Sequence, residues 1–328
     1  MQSTLSSIRR LVRVTAILAA TLISGIGHAA YPEGPIKMIV AYAPGGGTDI
    51  TARLLAQYIQ KHLGGTASIV VINRPGAGGG IGFGELSAAK PDGYTIGFLN
   101  TPNVLTIPIE RKVNFHWQDY DLLGNIVDDP GNFSVHTDSP IKNLAELVAY
   151  AKANPGAVTY GTTGIGSDDH LAAMAFERAA GVTLTHVPFK GAGEVRSAIA
   201  SKQIFLAALN IGEALQYQKG GTQIRNLGQM SEQRSNLDQS LPTFKEQGYN
   251  VVMASLRGVG APKGLPPAIR EQLVKAVQAA AADPEFQAKA ANVFAPLRFL
   301  APTAYAAELK RDEQMFKQLW QTMPWTDK

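Results

Sequence analysis

The sequence predicts an α/β fold of two lobes, each a mostly parallel sheet flanked by helices and hinged by two crossover segments, on three observations. Short apolar runs alternate with stretches of helical period through residues 36–228, as expected of strand–helix–strand units whose sheets are covered on both faces. At 328 residues, 45% of them hydrophobic, the chain can bury a substantial core, and its length favours two domains over one. Composition breaks at Asp128-Asp129-Pro130-Gly131 and over residues 248–255 lie next to strand-like runs, so the chain is expected to cross between lobes there. Residues 31–129 then form the first part of lobe I, 130–252 form lobe II, and 253–328 complete lobe I with C-terminal helices.

The elements follow from period and punctuation. Residues 36–41 read as a strand, 48–63 as a helix, 68–72 as a strand and 81–90 as a helix. Residues 94–99 and 122–127 continue as strands, 144–152 as a helix, 158–160 as a strand and 169–180 as a helix. Further short strands are expected at 184–187, 204–209 and 224–228, with helical stretches at 194–201 and 212–219. The end changes character: 267–282, 284–291 and 303–319 all read as helices with proline near their starts.

Residues 1–30 have the plan of a secretory signal: basic Arg9, Arg10 and Arg13, an apolar stretch from Val14 to Ile26, and small residues where cleavage is expected near Ala29 or Ala30. That apolar run is shorter than a bilayer-spanning helix needs. Arg9-Arg10 permits a twin-arginine route, although the following Leu-Val-Arg matches it poorly. The mature chain is expected in the periplasm. The formal charge of +4 falls to +1 without the three signal arginines, which gives no electrostatic case for nucleic acid. Cysteine is absent, which excludes disulfides, thiolate nucleophiles and sulfur-ligated metals.

Two glycine-and-hydroxyl loops dominate the functional reading. Tyr42-Ala43-Pro44-Gly45-Gly46-Gly47-Thr48-Asp49 and Gly161-Thr162-Thr163-Gly164-Ile165-Gly166-Ser167-Asp168 each follow a buried-strand run and open a helix. Each places backbone N–H groups at a helix N-terminus, which attracts anions. Facing each other across a cleft, the two would clamp a small carboxylate. Three successive glycines are conformationally costly, so Gly45, Gly46 and Gly47 point to close approach of a ligand rather than to an idle turn. Thr48 can cap its helix; Asp49 can stabilise the helix dipole and pair with Arg53, or orient bound water. In the second loop Thr162, Thr163 and Ser167 offer hydroxyls and Gly161, Gly164 and Gly166 backbone freedom. Asp168 and Asp169 suit a helix start; turned inward they would repel an anion, though a ligand with an ammonium group could use one of them. His170, on the helix that carries Phe176, reads as a packed core histidine.

Other candidates are weaker. In the third glycine-rich stretch, Asn73-Arg74-Pro75-Gly76-Ala77-Gly78-Gly79-Gly80, no G-x-G-x-x-G can be placed, lysine never follows glycine in this chain, and Arg74 reads as structural. There is no G-x-S-x-G elbow, no H-E-x-x-H and no metal-ligand spacing among the six histidines, so no catalytic residue, cofactor or metal is expected. Phe189-Lys190-Gly191-Ala192-Gly193 and Asn210-Ile211-Gly212-Glu213 could line a cleft at the strand C-terminal edge, with Phe189 and Asn210 as site candidates. Arg257 could reach a carboxylate in the cleft or form an interlobe salt bridge.

The chain resembles the extracytoplasmic solute receptors of the tripartite tricarboxylate transporter system, the Bug or TctC-type family. The matching stretches are Pro44 to Asp49 with Ala52-Arg53, Asn73 to Gly79, Pro91-Asp92-Gly93-Tyr94, Gly164 to Leu171, Val187 to Gly193, and Ala261-Pro262-Lys263-Gly264. The resemblance implies a type II-like, two-lobed periplasmic binding protein without cofactor or catalysis, expected to be a monomer, that delivers a carboxylate ligand to membrane transporter subunits. It assigns one pincer to Gly45 through Asp49 and the other to Thr162 through Ser167. One departure stands out: Phe205 occupies a position that is acidic in many relatives, and Ser201-Lys202 replaces a usual glycine pair. A sensory receptor for a membrane signalling protein, and an exported hydrolase using Asp49 or Asp168 with His170, are the alternative readings.

Overall fold

In the computed structural model residues 31–65 and 67–326 are described, so the expected secretory segment lies outside the described residues. Strand β1 (Ile36–Val40) is apolar at every position but Lys37 and runs parallel to both β2 (Ile69–Asn73) and β3 (Thr95–Asn100). It feeds through the first glycine loop into helix α1 (Gly47–Leu63), where Ala52, Leu55, Ala56 and Ile59 recur at helical spacing and are buried. A short 3₁₀ turn at Ala77–Gly79 precedes α2 (Gly80–Ser87), shorter than the helix predicted over 81–90. A helix not predicted, α3 (Asn103–Glu110), follows β3.

Strand β4 (Tyr120–His136) organises the rest. From Tyr120 to Pro130 it pairs antiparallel with β9 (Ala254–Pro262), and from Gly131 to Val135 antiparallel with β7 (Leu206–Asn210). β9 in turn lies antiparallel to β3. Beyond β7 come β5 (Thr159–Thr162) and β6 (Thr185–Pro188), both in parallel register. The order across the molecule is β2-β1-β3-β9-β4-β7-β5-β6, with β8 (Ile224–Gln229) and β10 (Leu297–Leu300) also on β4. The α/β fold expected from the sequence is found, with a sheet that is mixed. Its outer strands are parallel as in βαβ units, whereas β4, which spans both sheet regions, pairs antiparallel with β9 in one and with β7 in the other.

Helices α4 (Leu144–Ala153), α5 (Asp168–Ala180), α6 (Ala192–Ala200) and α7 (Ile211–Lys219) accompany β5–β8. The chain ends with α8 (Pro267–Ala282), α9 (Pro284–Asn292) and α10 (Pro302–Thr322), each with proline in its first turn, where the missing N–H costs nothing. One core lies under β4 and β7, where Phe133, Phe176 and Phe244 meet edge-to-face at 5.1–5.7 Å. A second gathers Ile39, Phe83, Leu99, Phe115 and Trp325 around β1 and β3. All of this belongs to one unit, Gly34–Lys328. Among the described residues no helix is long and apolar enough to cross a membrane.

Candidate ligand-binding cleft

The first glycine loop is shaped by its backbone. Gly45 sits at φ +86°, a left-handed conformation that glycine adopts without strain. Gly46 is the N-cap of α1, with no side-chain cap. Thr48, offered by the sequence as that cap, instead accepts through Oγ1 from Asn100 Nδ2 at 2.7 Å. Asp49 turns back to hold the loop: Oδ2 accepts from the Gly45 N–H at 3.0 Å, and Oδ1 accepts from Asn73 Nδ2 at 2.9 Å and pairs with Arg53 at 2.8 Å. Burial opposes that charge, but the bonds from Arg53, Gly45 and Asn73 hold its pKa below the ordinary carboxylate value.

The second loop is built by the same kind of self-capping. Ser167 Oγ accepts from the His170 N–H at 3.2 Å and so caps α5, as a serine at that position should. Asp169 Oδ2 accepts from Thr163 twice, at 3.2 Å from its N–H and 2.9 Å from its hydroxyl. His170 Nδ1 accepts from the Gly166 N–H at 3.1 Å, and its ring stacks on His186 with centroids 4.0 Å apart. Burial, with His186 beside it, pushes His170 down to about 3, so it stays neutral. It pairs with neither Asp49 nor Asp168, which removes the dyad a hydrolase would need.

Both loops reach one cavity. Tyr42, Gly46, Gly47, Thr48 and Asp49 line it from the first; Thr163 and Asp168 line it from the second. Asn210 and Arg257 line it too, as do Ala192 and Glu213 from the two stretches offered as cleft lining, and so do Asn100 and Ser255, which sequence reasoning did not select. The remaining candidates stand behind this wall. The Gly45 carbonyl accepts from Tyr217 Oη at 3.1 Å, and a Cβ at Gly193 would stand 2.7 Å from the Pro44 carbonyl. Thr162 Oγ1 accepts from the Gly164 N–H at 3.2 Å, and the Phe189 N–H donates to the Thr162 carbonyl at 3.0 Å. The cavity has a volume of about 20 Å³, room for roughly one water-sized group.

Arg257, on β9 and 2% exposed, is the hub of the cavity's far wall. Its Nη2 donates to Asn210 Oδ1 at 2.8 Å and stands 3.2 Å from both Asp129 Oδ2 and Glu213 Oε1. Of the two roles open to Arg257 in the sequence, the salt bridge is thus the one formed, and it joins three elements, β9, β4 and α7. Asp168, expected as a helix-start residue, does begin α5 but also faces inward, with Oδ2 accepting from Asn210 Nδ2 at 2.7 Å. Burial pushes the Asp168 carboxyl up to about 6 against the bond from Asn210, and Asp129 up to about 7 against the attraction of Arg257. Asp169 is raised further, by burial and then by Asp168 and Glu213. Among the described residues no group of histidine and carboxylate side chains could hold a metal ion.

The chemistry available here is capture, by backbone amides, hydroxyls and buried charges; the hydroxyl that meets an imidazole, Thr162 Oγ1 at 2.7 Å from His186 Nε2, belongs to a residue behind the cavity wall. This fold and this cleft define a periplasmic solute-binding protein. Residues 51–297 match the family described as Tripartite tricarboxylate transporter family receptor (TctC). The chain is 35% identical to the UPF0065 protein in gbd 5'region of Cupriavidus necator, over 78% of this chain and 77% of the relative. Its fold matches the periplasmic binding protein BugD at TM-score 0.84 and 31% identity, covering 91% of this chain and all of that one. It also matches an R. palustris protein solved with adipate, at TM-score 0.83 and 26% identity, over 89% of this chain and 98% of that one. The chain belongs to the tripartite tricarboxylate transporter family of receptors. Receptors of this TctC/Bug family are binding proteins, not enzymes.

Proposed function

We propose that this receptor, opened about its hinge, captures a small carboxylate between its two glycine-and-hydroxyl loops, whose shared cavity in the present form holds one water-sized group, and delivers it to a membrane transporter of the tripartite tricarboxylate type. The observation that supports this most directly is that helix mouths α1 and α5, 121 residues apart by their first residues, open on one cavity. Carboxylate capture is in keeping with the adipate found on the R. palustris neighbour. Lobe I would comprise 31–129 and 253–328, and lobe II 130–252. The hinge would lie where β4 changes pairing partners, from Ala254 opposite Pro130 to Asn210 opposite Gly131, and at the entry to β9. Closure around the ligand would be what the transporter reads. Export to the periplasm would follow from the segment at residues 1–30.

Titration calorimetry of the purified mature chain against di- and tricarboxylates, amino acids and aromatic acids tests the reading. One-to-one saturable binding of at least one acid is expected. Gly47→Ala is expected to lower its affinity at least 100-fold, because a Cβ there would collide with Arg257 Nη1 and stand 2.7 Å from Glu213 Oε1 at the mouth of α1. Absence of binding across the panel, or full affinity in the alanine variant, refutes it.

A further inference from the structure

This inference rests on the receptor reading and concerns what competes with the ligand's carboxylate for its seat. Several amides of the two glycine loops are satisfied from within their own loop and helix: Gly45 donates to Asp49, Thr163 to Asp169 and Gly166 to His170. Such bonds travel with the side that carries them. The Gly47 N–H differs, because its acceptor is Glu213 Oε1 at 2.8 Å, on α7 across the cleft. The same oxygen stands 3.2 Å from Arg257 Nη2. A carboxylate of the chain itself therefore sits where the amide end of α1 and a buried guanidinium converge, the arrangement that favours an anion.

Glu213 is built into that seat. It is 5% exposed and belongs to the capping box of α7, with Oε2 accepting from the Asn210 N–H at 3.4 Å. The fit at Gly47 is close: a Cβ there would collide with Arg257 Nη1 and stand 2.7 Å from Glu213 Oε1, so no second carboxylate reaches this amide while Glu213 stays. Charge opposes sharing as well. Asp129 Oδ2 already stands 3.2 Å from Arg257 Nη2, and Asp168 lines the same cavity. An anion added beside Glu213 would be one more buried negative charge, whereas one that replaces it leaves the local charge unchanged. Glu213 lies across the proposed hinge from Gly47 and Arg257, so opening would draw it out of the seat and leave the amide and the guanidinium together on the lobe I side.

We propose that Glu213 is an internal competitor of the ligand: its carboxylate takes the seat formed by the Gly47 amide and Arg257, ties the two sides of the cleft together there, and must be displaced by the ligand's carboxylate for capture. Glu213 thereby sets a threshold on affinity. A self-occupied form that holds about nine molecules in ten lowers apparent affinity about tenfold.

The test is calorimetry on the full mature chain with succinate, adipate, citrate, L-glutamate and benzoate as probes, at pH 8, above the range in which Asp129 and Asp168 titrate. Three variants are compared with the unmodified chain, each checked for native melting and circular dichroism. Glu213→Gln keeps the capping box without the charge, Glu213→Ala clears the seat, and Asp168→Asn removes an equal charge from the same cavity without touching Gly47. Glu213→Ala is expected to bind at least one probe about tenfold tighter than the unmodified chain. Glu213→Gln is expected to gain less, because its amide oxygen still accepts from Gly47, and Asp168→Asn to gain least. Affinity unchanged or weakened in whichever Glu213 variants fold overturns the competition while carboxylate capture stands. A gain in Asp168→Asn equal to that of Glu213→Ala reduces the effect to charge alone and overturns it too. If no probe binds the unmodified chain or any variant, both readings fall.

Discussion

Asp129 is 1% exposed, bonded to the Gly212 N–H at 3.0 Å and set beside Arg257, Glu213 and Asp168. Its carboxyl titrates at about 7 and that of Asp168 at about 6, whereas in the unfolded chain both titrate near about 4. Between those limits the folded protein binds more protons than the unfolded one, so its stability falls as pH rises. This contribution is complete below the unfolded pKa and is lost as pH climbs through 6 to 7. The melting temperature is therefore expected to increase on acidification from pH 7.5 to 5, and Asp129→Asn is expected to flatten the trend. A flat profile, or one rising with pH in the unmodified chain, contradicts the assignment. At lower pH the order reverses: Asp49 and Asp121 are held below their ordinary values despite burial, by bonds from Arg53 and from the Leu265 and Gly264 amides, and they lose that support once protonated.

Elements with a clean period were legible in the sequence, and those whose signal lies outside the segment were not. Helix α1 shows its apolar spacing, and α4 shows its start: Asn143 Oδ1 accepts from the Glu146 N–H at 2.8 Å while Glu146 Oε2 accepts from the Lys142 N–H at 2.7 Å. Replacing that cap by alanine is expected to cost about 1 kcal/mol, read from urea unfolding; no change would show that α4 is fixed by packing alone. Helix α3 escaped notice because Pro108 lies inside it. Strand β9 is the strand-like run expected beside residues 248–255, but it received no bounds because Ala-Ser-Leu-Arg-Gly-Val-Gly-Ala-Pro neither alternates nor runs apolar; neighbours on both edges, β3 and β4, make it a strand. The site divides in the same way. Local chemistry marks Gly46, Gly47 and Thr163, but Glu213 looks like the ordinary third residue of a capping box on α7, and its bond to Gly47 spans 166 residues of sequence. Likewise, no nearby residue signals that Asp168 turns toward Asn210.

At the scale of the molecule, the two sides of the cleft are joined at several points, among them Thr106 Oγ1 to the Gly166 carbonyl at 2.7 Å and Lys219 Nζ to the Asn292 carbonyl at 3.1 Å. The Ala43 N–H donates to the Lys190 carbonyl at 3.1 Å, Tyr217 Oη donates to the Gly45 carbonyl at 3.1 Å, and Gly47 and Arg257 both engage Glu213. If the proposed hinge at Pro130–Gly131 and before Ala254 separates the lobes, these contacts set the balance between open and closed forms. A neutral hydrogen bond contributes about 1 kcal/mol, so deleting one changes that balance by roughly fivefold. Tyr217→Phe removes one such bond and keeps the buried ring, which is 2% exposed. Because the chain has no cysteine, spin labels placed at Val70→Cys and Lys202→Cys, both exposed and on opposite sides of the proposed hinge, report the distance without background. The expected outcome is a second, longer distance that gains population in Tyr217→Phe and loses it when ligand is added. A single distance that neither the substitution nor any ligand moves would mean that the two sheet regions, joined by β4, form one rigid body.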